Sequence, residues 1–181
     1  MKGFGNNYKT NNKSTEKKFK SNQKDQLITN ALSLHTNGKI REASEIYNFL
    51  IKNKFYDPRV LNNLGTIYSQ IKEFDKAILL FDKSIKKFPN SMEAYSNLAN
   101  VLVIKGRIDT AKKILKKAIE INPNHLKPYS NLAGLYVGEG DFKNAEVLLR
   151  KNVDINPKDI NTLVNLACVL KDLGNPKEAE K

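Results

Sequence analysis

Four asparagines recur at one interval: Asn63, Asn97, Asn131 and Asn165, each 34 residues after the last. A side-chain amide carries an acceptor oxygen and an NH₂ donor on one planar group. A row of them could hold both the N–H and the C=O groups of an extended polypeptide without reading its side chains. Each such bond is worth about 0.5–1.5 kcal/mol net, weak singly and useful in a row. Asn62, Asn100, Ser96 and Ser130 stand close by in the same pattern and extend this candidate peptide-binding surface.

Other residues with chemical potential are scattered. His35 and His125 stand 90 residues apart, and neither has Cys, Asp or Glu at metal-ligand spacing. The single Cys168 has no activating neighbour, so it reads as a small groove-facing residue and no intrachain disulfide forms. The glycines are single and periodic, which does not make a phosphate-cradling loop. The expectation is a chain without catalytic residues, metal or cofactor.

The asparagines need elements to position them, and the same 34-residue period supplies these from residue 24 onward. The segments are 24–57, 58–91, 92–125, 126–159 and a partial 160–181. Column 4 reads Leu27, Leu61, Tyr95, Tyr129, Leu163, and column 8 reads Ala31, Gly65, Ala99, Ala133, Ala167. Columns 4, 7, 8 and 11 share one helical face. Column 20 is alanine in all five segments, and columns 20 and 24 begin the matching stripe of a second helix. Small residues at columns 8 and 20 let the two helices approach, and large ones at 4, 11 and 24 fill the gaps. Column 15 holds Gly38, Gly106, Gly140 and Gly174, where a helix end favours positive φ. Lys72 occupies that place in the second segment and predicts a strained turn. Pro89, Pro123 and Pro157 at column 32 stop the second helices, with Phe55 in the first segment instead.

This pattern resembles the tetratricopeptide repeat over residues 24–181. The resemblance implies an all-α, right-handed solenoid of helix pairs, about four and a half repeats, with a concave inner face lined by the first helices. The phrases "AYSNLANVL" and "PYSNLAGLY" are similar to repeats of the O-linked N-acetylglucosamine transferases, whose asparagine ladder holds substrate polypeptide. What that implies is a substrate-recruiting N-terminal part of a larger protein, glycosyltransferase-like or another modifying enzyme. Asparagine at column 6 is also common in tetratricopeptide repeats at large. The family's carboxylate clamp is a poor fit: Ser96, Asn100, Asn131, Asn161 and Asn165 supply its asparagines and none of its basic residues. The alternative role is a stand-alone adaptor that binds a folded partner.

The chain has 181 residues and a formal charge of +12, which favours acidic partners at long range. Residues 1–24 hold seven lysines against Glu16, so residues 1–23 read as a disordered basic tail ahead of the solenoid. A solvated leader is one reading of it; contact with acidic lipid, RNA or protein is the other. The lysines of "KKILKK" fall on the solvated side of a second helix, so no nucleic-acid partner is expected. No run is long and apolar enough to span a membrane, and no secretory leader is visible, so the expected setting is cytoplasmic. The fifth segment ends one turn into its second helix, leaving Leu163, Leu166 and Leu170 short of a partner. Continuation of the natural chain or self-association through that open end are the expectations.

Overall fold

The computed structural model describes residues 21–174. Within them lie nine helices: α1 Ser21–Thr36, α2 Ile40–Lys52, α3 Pro58–Gln70, α4 Phe74–Lys87, α5 Met92–Ile104, α6 Ile108–Ile121, α7 Leu126–Gly138, α8 Phe142–Ile155 and α9 Ile160–Asp172. No strand occurs among the described residues. Each helix packs on the next, and α1, α3, α5 and α7 also touch in succession, α1 on α3, α3 on α5 and α5 on α7. The even-numbered helices make no comparable contacts with one another. Odd helices therefore form the tight inner layer and even helices the outer one, the arrangement of an all-α solenoid. The basic-tail reading and the second helix of the last repeat lie outside the described residues. Helix α1 begins at Ser21, three residues ahead of the boundary expected from the repeat period.

The core follows the small columns. Ala43, Ala77, Ala111 and Ala145 are completely buried, and Ala31, Gly65, Ala99 and Ala133 face them from the paired helix. Tyr47, Phe81, Leu115 and Leu149 fill the space beside them. Burial of a large apolar side chain contributes about 1.5–3 kcal/mol, so these columns supply the main stabilisation of each repeat. Burial also pushes the Tyr47 phenol up to about 12. Leu166 and Leu170 are buried against α8, whereas Leu163 stays 40% exposed. Leu166 and Leu170 are thus not left short of a partner as expected, because they share a core cluster with Ala145 and Leu149 of α8.

Helix ends explain the rest of the repeat. Gly38, Gly106, Gly140 and Gly174 have φ between 72° and 79°, and Lys72 sits at 63°, as expected for that column. In four turns the next N–H reaches back to the column-11 carbonyl: Lys39 to Leu34, Glu73 to Tyr68, Arg107 to Leu102, Asp141 to Tyr136, at 2.8–2.9 Å. This is the six-to-one bond of a Schellman cap. The end of α2 is a departure. Where Pro89, Pro123 and Pro157 follow α4, α6 and α8, Phe55 follows α2, and the helix is stopped by Lys54 at φ 60° with the Phe55 N–H bonded to the Leu50 carbonyl at 2.9 Å. Without a proline, a left-handed lysine does the stopping.

Gly65 stands where the other repeats have alanine, and the reason is local. A Cβ built there would lie 2.6 Å from the Phe81 ring, inside contact distance. Gly65→Ala is expected to cost about 1–3 kcal/mol of overpacking, partly offset by about 1 kcal/mol of helix propensity. Combining it with Phe81→Leu, the residue type that column 24 carries in α6 and α8, should remove the clash. Urea unfolding of the four proteins checks this: a coupling of about 1 kcal/mol is expected, and strict additivity would refute the contact. Lys72→Gly relieves the left-handed strain and should raise unfolding free energy by about 0.5–1 kcal/mol in the same assay.

Candidate functional site

The inner surface is built by the odd helices, and its electrostatics differ from the rest of the chain. Helices α1, α3, α5, α7 and α9 together carry four basic and three acidic residues; α2, α4, α6 and α8 carry thirteen and eight. The excess positive charge therefore lies outside. There Lys83 and Lys87 sit over the Tyr56 ring at 4.1 and 4.4 Å, and Lys112 and Lys116 over Tyr136 at 4.9 and 6.0 Å. A hydrogen bond from Lys83 lowers the Tyr56 phenol, helped by the charges of Lys83, Lys87 and Lys54.

The recurrent asparagines stand on successive inner helices: Asn63 on α3, Asn97 on α5, Asn131 on α7 and Asn165 on α9. Asn63, Asn97 and Asn131 are half-buried and Asn165 is exposed. Their amides are not free at both ends. The Nδ2 of Asn63 donates to the Arg59 carbonyl one turn back at 2.8 Å, and that of Asn97 reaches Thr66 Oγ1 at 3.5 Å. The Nδ2 of Asn131 is buried without a partner. In all three the Oδ1 stays open to solvent. The row therefore presents acceptors, suited to the N–H groups of a polypeptide, where the bare residue type allows donors as well.

Two candidate residues must be corrected. Ser96 is completely buried, with its Oγ enclosed and unpartnered, so it cannot touch a ligand. Ser130 is half-buried and tied inward, accepting from Asn152 Nδ2 at 2.6 Å. Both occupy column 5, where the side chains turn into the interior, Ser130 toward Asn152 of α8. Asn62, in the same column, is 8% exposed and donates through Nδ2 to Ser91 Oγ at 2.9 Å. Its Oδ1 is buried and unpartnered. Asn100, one turn further along α5, is exposed.

Between α3 and α5 the inner surface opens into a cavity of about 710 Å³. Its lining includes the polar Asn62, Asn63, Thr66 and Asn97, the charged Arg59 and Glu93, and the apolar Pro58, Phe88 and Pro89. Column counting found the asparagines and not this cavity, because its wall comes from the α4–α5 connection. Arg59 is already committed. Its guanidinium grips Asp57 bidentately at 3.0 and 2.9 Å and lies 3.6 Å from Asp25. Asp57 also caps α3, accepting from the Arg59 N–H at 2.8 Å with Pro58 in the first turn. Burial works against ionisation of Asp57, yet the hydrogen bonds and charge of Arg59 hold its carboxyl below the usual range. Among the described residues no group of three or more His, Cys, Asp or Glu gathers to hold a metal, and no helix is long and apolar enough to cross a membrane.

Comparison with known proteins fits this architecture. Residues 5–114 match the family described as Psidin, N-terminal TPR repeats region, and residues 102–151 match the tetratricopeptide repeat. The rhomboid protease GluP of Bacillus subtilis (strain 168) is 34% identical over 79 residues, which are 44% of this chain. The match spans only 16% of that protease. Among solved structures, MamA 41-end from Desulfovibrio magneticus RS-1 superposes with a TM-score of 0.69 at 22% identity, covering 87% of this chain and 89% of that one. TTC0263, a thermophilic TPR protein of Thermus thermophilus, superposes at 0.67 with 18% identity, covering 86% of each chain. At these identities the structures share the fold.

The Asp57–Arg59 unit predicts acid sensitivity. A carboxyl depressed in the native state stabilises the fold above its unfolded value of about 3.9, and this contribution is lost as pH falls through the lower native value. Asp57→Asn keeps a capping side chain and abolishes the titration. Its stability should fall less steeply than that of the parent as pH drops below about 4. Asp57→Ala removes the cap too and should cost about 1 kcal/mol at neutral pH. Urea midpoints across this range check both; parallel curves for parent and Asp57→Asn would refute the assignment.

Proposed function

This chain belongs to the tetratricopeptide-repeat family of protein-interaction modules, and we propose that its partner is an extended polypeptide held in the inner groove. One observation carries this reading: Asn63, Asn97 and Asn131 each keep an open Oδ1 on successive inner helices, with Asn165 exposed beyond them. Helices packed side by side lie about 8–10 Å apart. An extended chain advances roughly 3.3–3.6 Å per residue, so one asparagine meets the backbone about every third residue. A polypeptide N–H donated to each Oδ1 replaces water with a bond of about 0.5–1.5 kcal/mol, independent of peptide side chains. Asn100, exposed on α5, adds a polar contact at the groove wall.

The module is further proposed as the recruiting arm of a larger modifying enzyme. The likeness of the repeat wording to glycosyltransferase repeats supports that idea, as does a relative that is by name a protease and far longer than its matched segment. A second reading, an adaptor for a folded partner or for another copy of itself, is favoured by the apolar exposure on α9. Ile160 is 73%, Leu163 40% and Val164 55% exposed there.

Asn97→Ala combined with Asn131→Ala separates the readings. Both residues are polar and partly solvated, so helicity by circular dichroism should stay unchanged. Affinity for labelled unstructured peptides, read by fluorescence anisotropy, should drop about tenfold for two lost rungs. Full peptide affinity in the double variant would rule the ladder out and favour the α9 surface.

A further inference from the structure

The cavity between α3 and α5 has a chemistry that the asparagine row does not use. It lies in a chain of charge +12, yet no lysine among the described residues lines it. Its two charged lining residues are Arg59 and Glu93. Arg59 is neutralised and more, since both Asp57 and Asp25 hold it. Glu93 is exposed and belongs to no ion pair among the described residues. Asn62 also lines the cavity, but it is more than nine-tenths buried, Ser91 holds its Nδ2 and its Oδ1 is enclosed, so it offers an incoming group nothing. Pro58, Phe88 and Pro89 add apolar surface to the lining.

Apolar surface beside an unpaired carboxylate suits an amphipathic cation. Lysine and arginine lay aliphatic stems on apolar surface and carry donors at the tip. We infer that this cavity takes a lysine or arginine side chain of the bound polypeptide, with Glu93 as counter-ion. The inference rests on the groove reading above and gives that groove a side-chain preference which the backbone-reading asparagines cannot supply. A glutamate in the same place would face Glu93 and find no free cation in the described lining. An uncharged chain would cover the apolar residues and leave the Glu93 carboxylate unpaired.

The test uses the full chain and short capped Gly/Ser peptides that differ only in a central Lys, Arg, norleucine or Glu, with affinity read by fluorescence anisotropy. The Lys and Arg peptides should bind about tenfold tighter than the norleucine peptide, as one charge-assisted bond gives, with the Glu peptide weakest. The preference should shrink as salt is raised. Glu93→Gln, at an exposed site that leaves folding intact, should erase the cation preference while norleucine binding stays unchanged. Equal affinity across the central residues, or a preference that survives Glu93→Gln, overturns the cavity assignment and leaves the groove standing. Failure of every peptide to bind overturns both.

Discussion

The contact on which the rest depends is the close approach of two helices through residues that have almost no side chain. Ala43, Ala77, Ala111 and Ala145 are fully buried against Ala31, Gly65, Ala99 and Ala133. Small residues at a crossing bring backbones together, and the volume beside them is then filled by Tyr47, Phe81, Leu115 and Leu149. Interiors are close-packed, so the large residue and the small one opposite are chosen together. Phe81 against Gly65 is the case in which one ring takes the place of the missing Cβ. Once each pair is fixed, the Schellman turn after each inner helix sets where the outer helix returns, and the inner helices line up.

That alignment separates two electrostatic surfaces on one small chain. Polar neutrality inside and positive excess outside need no long-range design; they follow from which helical face is buried between layers. Lysines of the outer helices hold their ammonium groups over tyrosine rings, as at Tyr56 and Tyr136. The inner face is crowded by neighbouring inner helices, so it favours short side chains. Asparagine, serine and threonine are short and polar, and they satisfy one another there, as in Asn62 with Ser91 and Asn97 with Thr66. A polypeptide entering the groove meets hydrogen-bonding groups already held in place, which lowers the entropy cost of binding.

The fold was legible because its period was written five times, and columns average away local accident. The left-handed Lys72 followed from glycine in the same column elsewhere, and its φ of 63° bears this out. The stop at Lys54 was not legible: lysine has no preference for that conformation, and the missing proline at Phe55 says only that something else must end α2. Column 5 shows a different limit. Ser96, Ser130 and Asn62 read as groove residues by type, but the column lies at the edge of the buried face, with partners on α8 and in the α4–α5 connection, where a turn of a few degrees decides between solvent and interior. Sequence gives the helical face and not that angle. The cavity was invisible for a related reason: it joins two inner helices to the connection carrying Phe88 and Pro89, and no single column spans those parts.

Among the described residues, helices pack mainly on their sequence neighbours, with next-but-one contacts between α1, α3, α5 and α7. Mechanically such an array is a spring. A small rotation at each inner-helix seam accumulates along it. The separation of Asn63, Asn97 and Asn131 therefore changes with the curvature of the whole. A polypeptide gripping three rungs sets the pitch of the coil, and tension on the coil's ends loosens the grip.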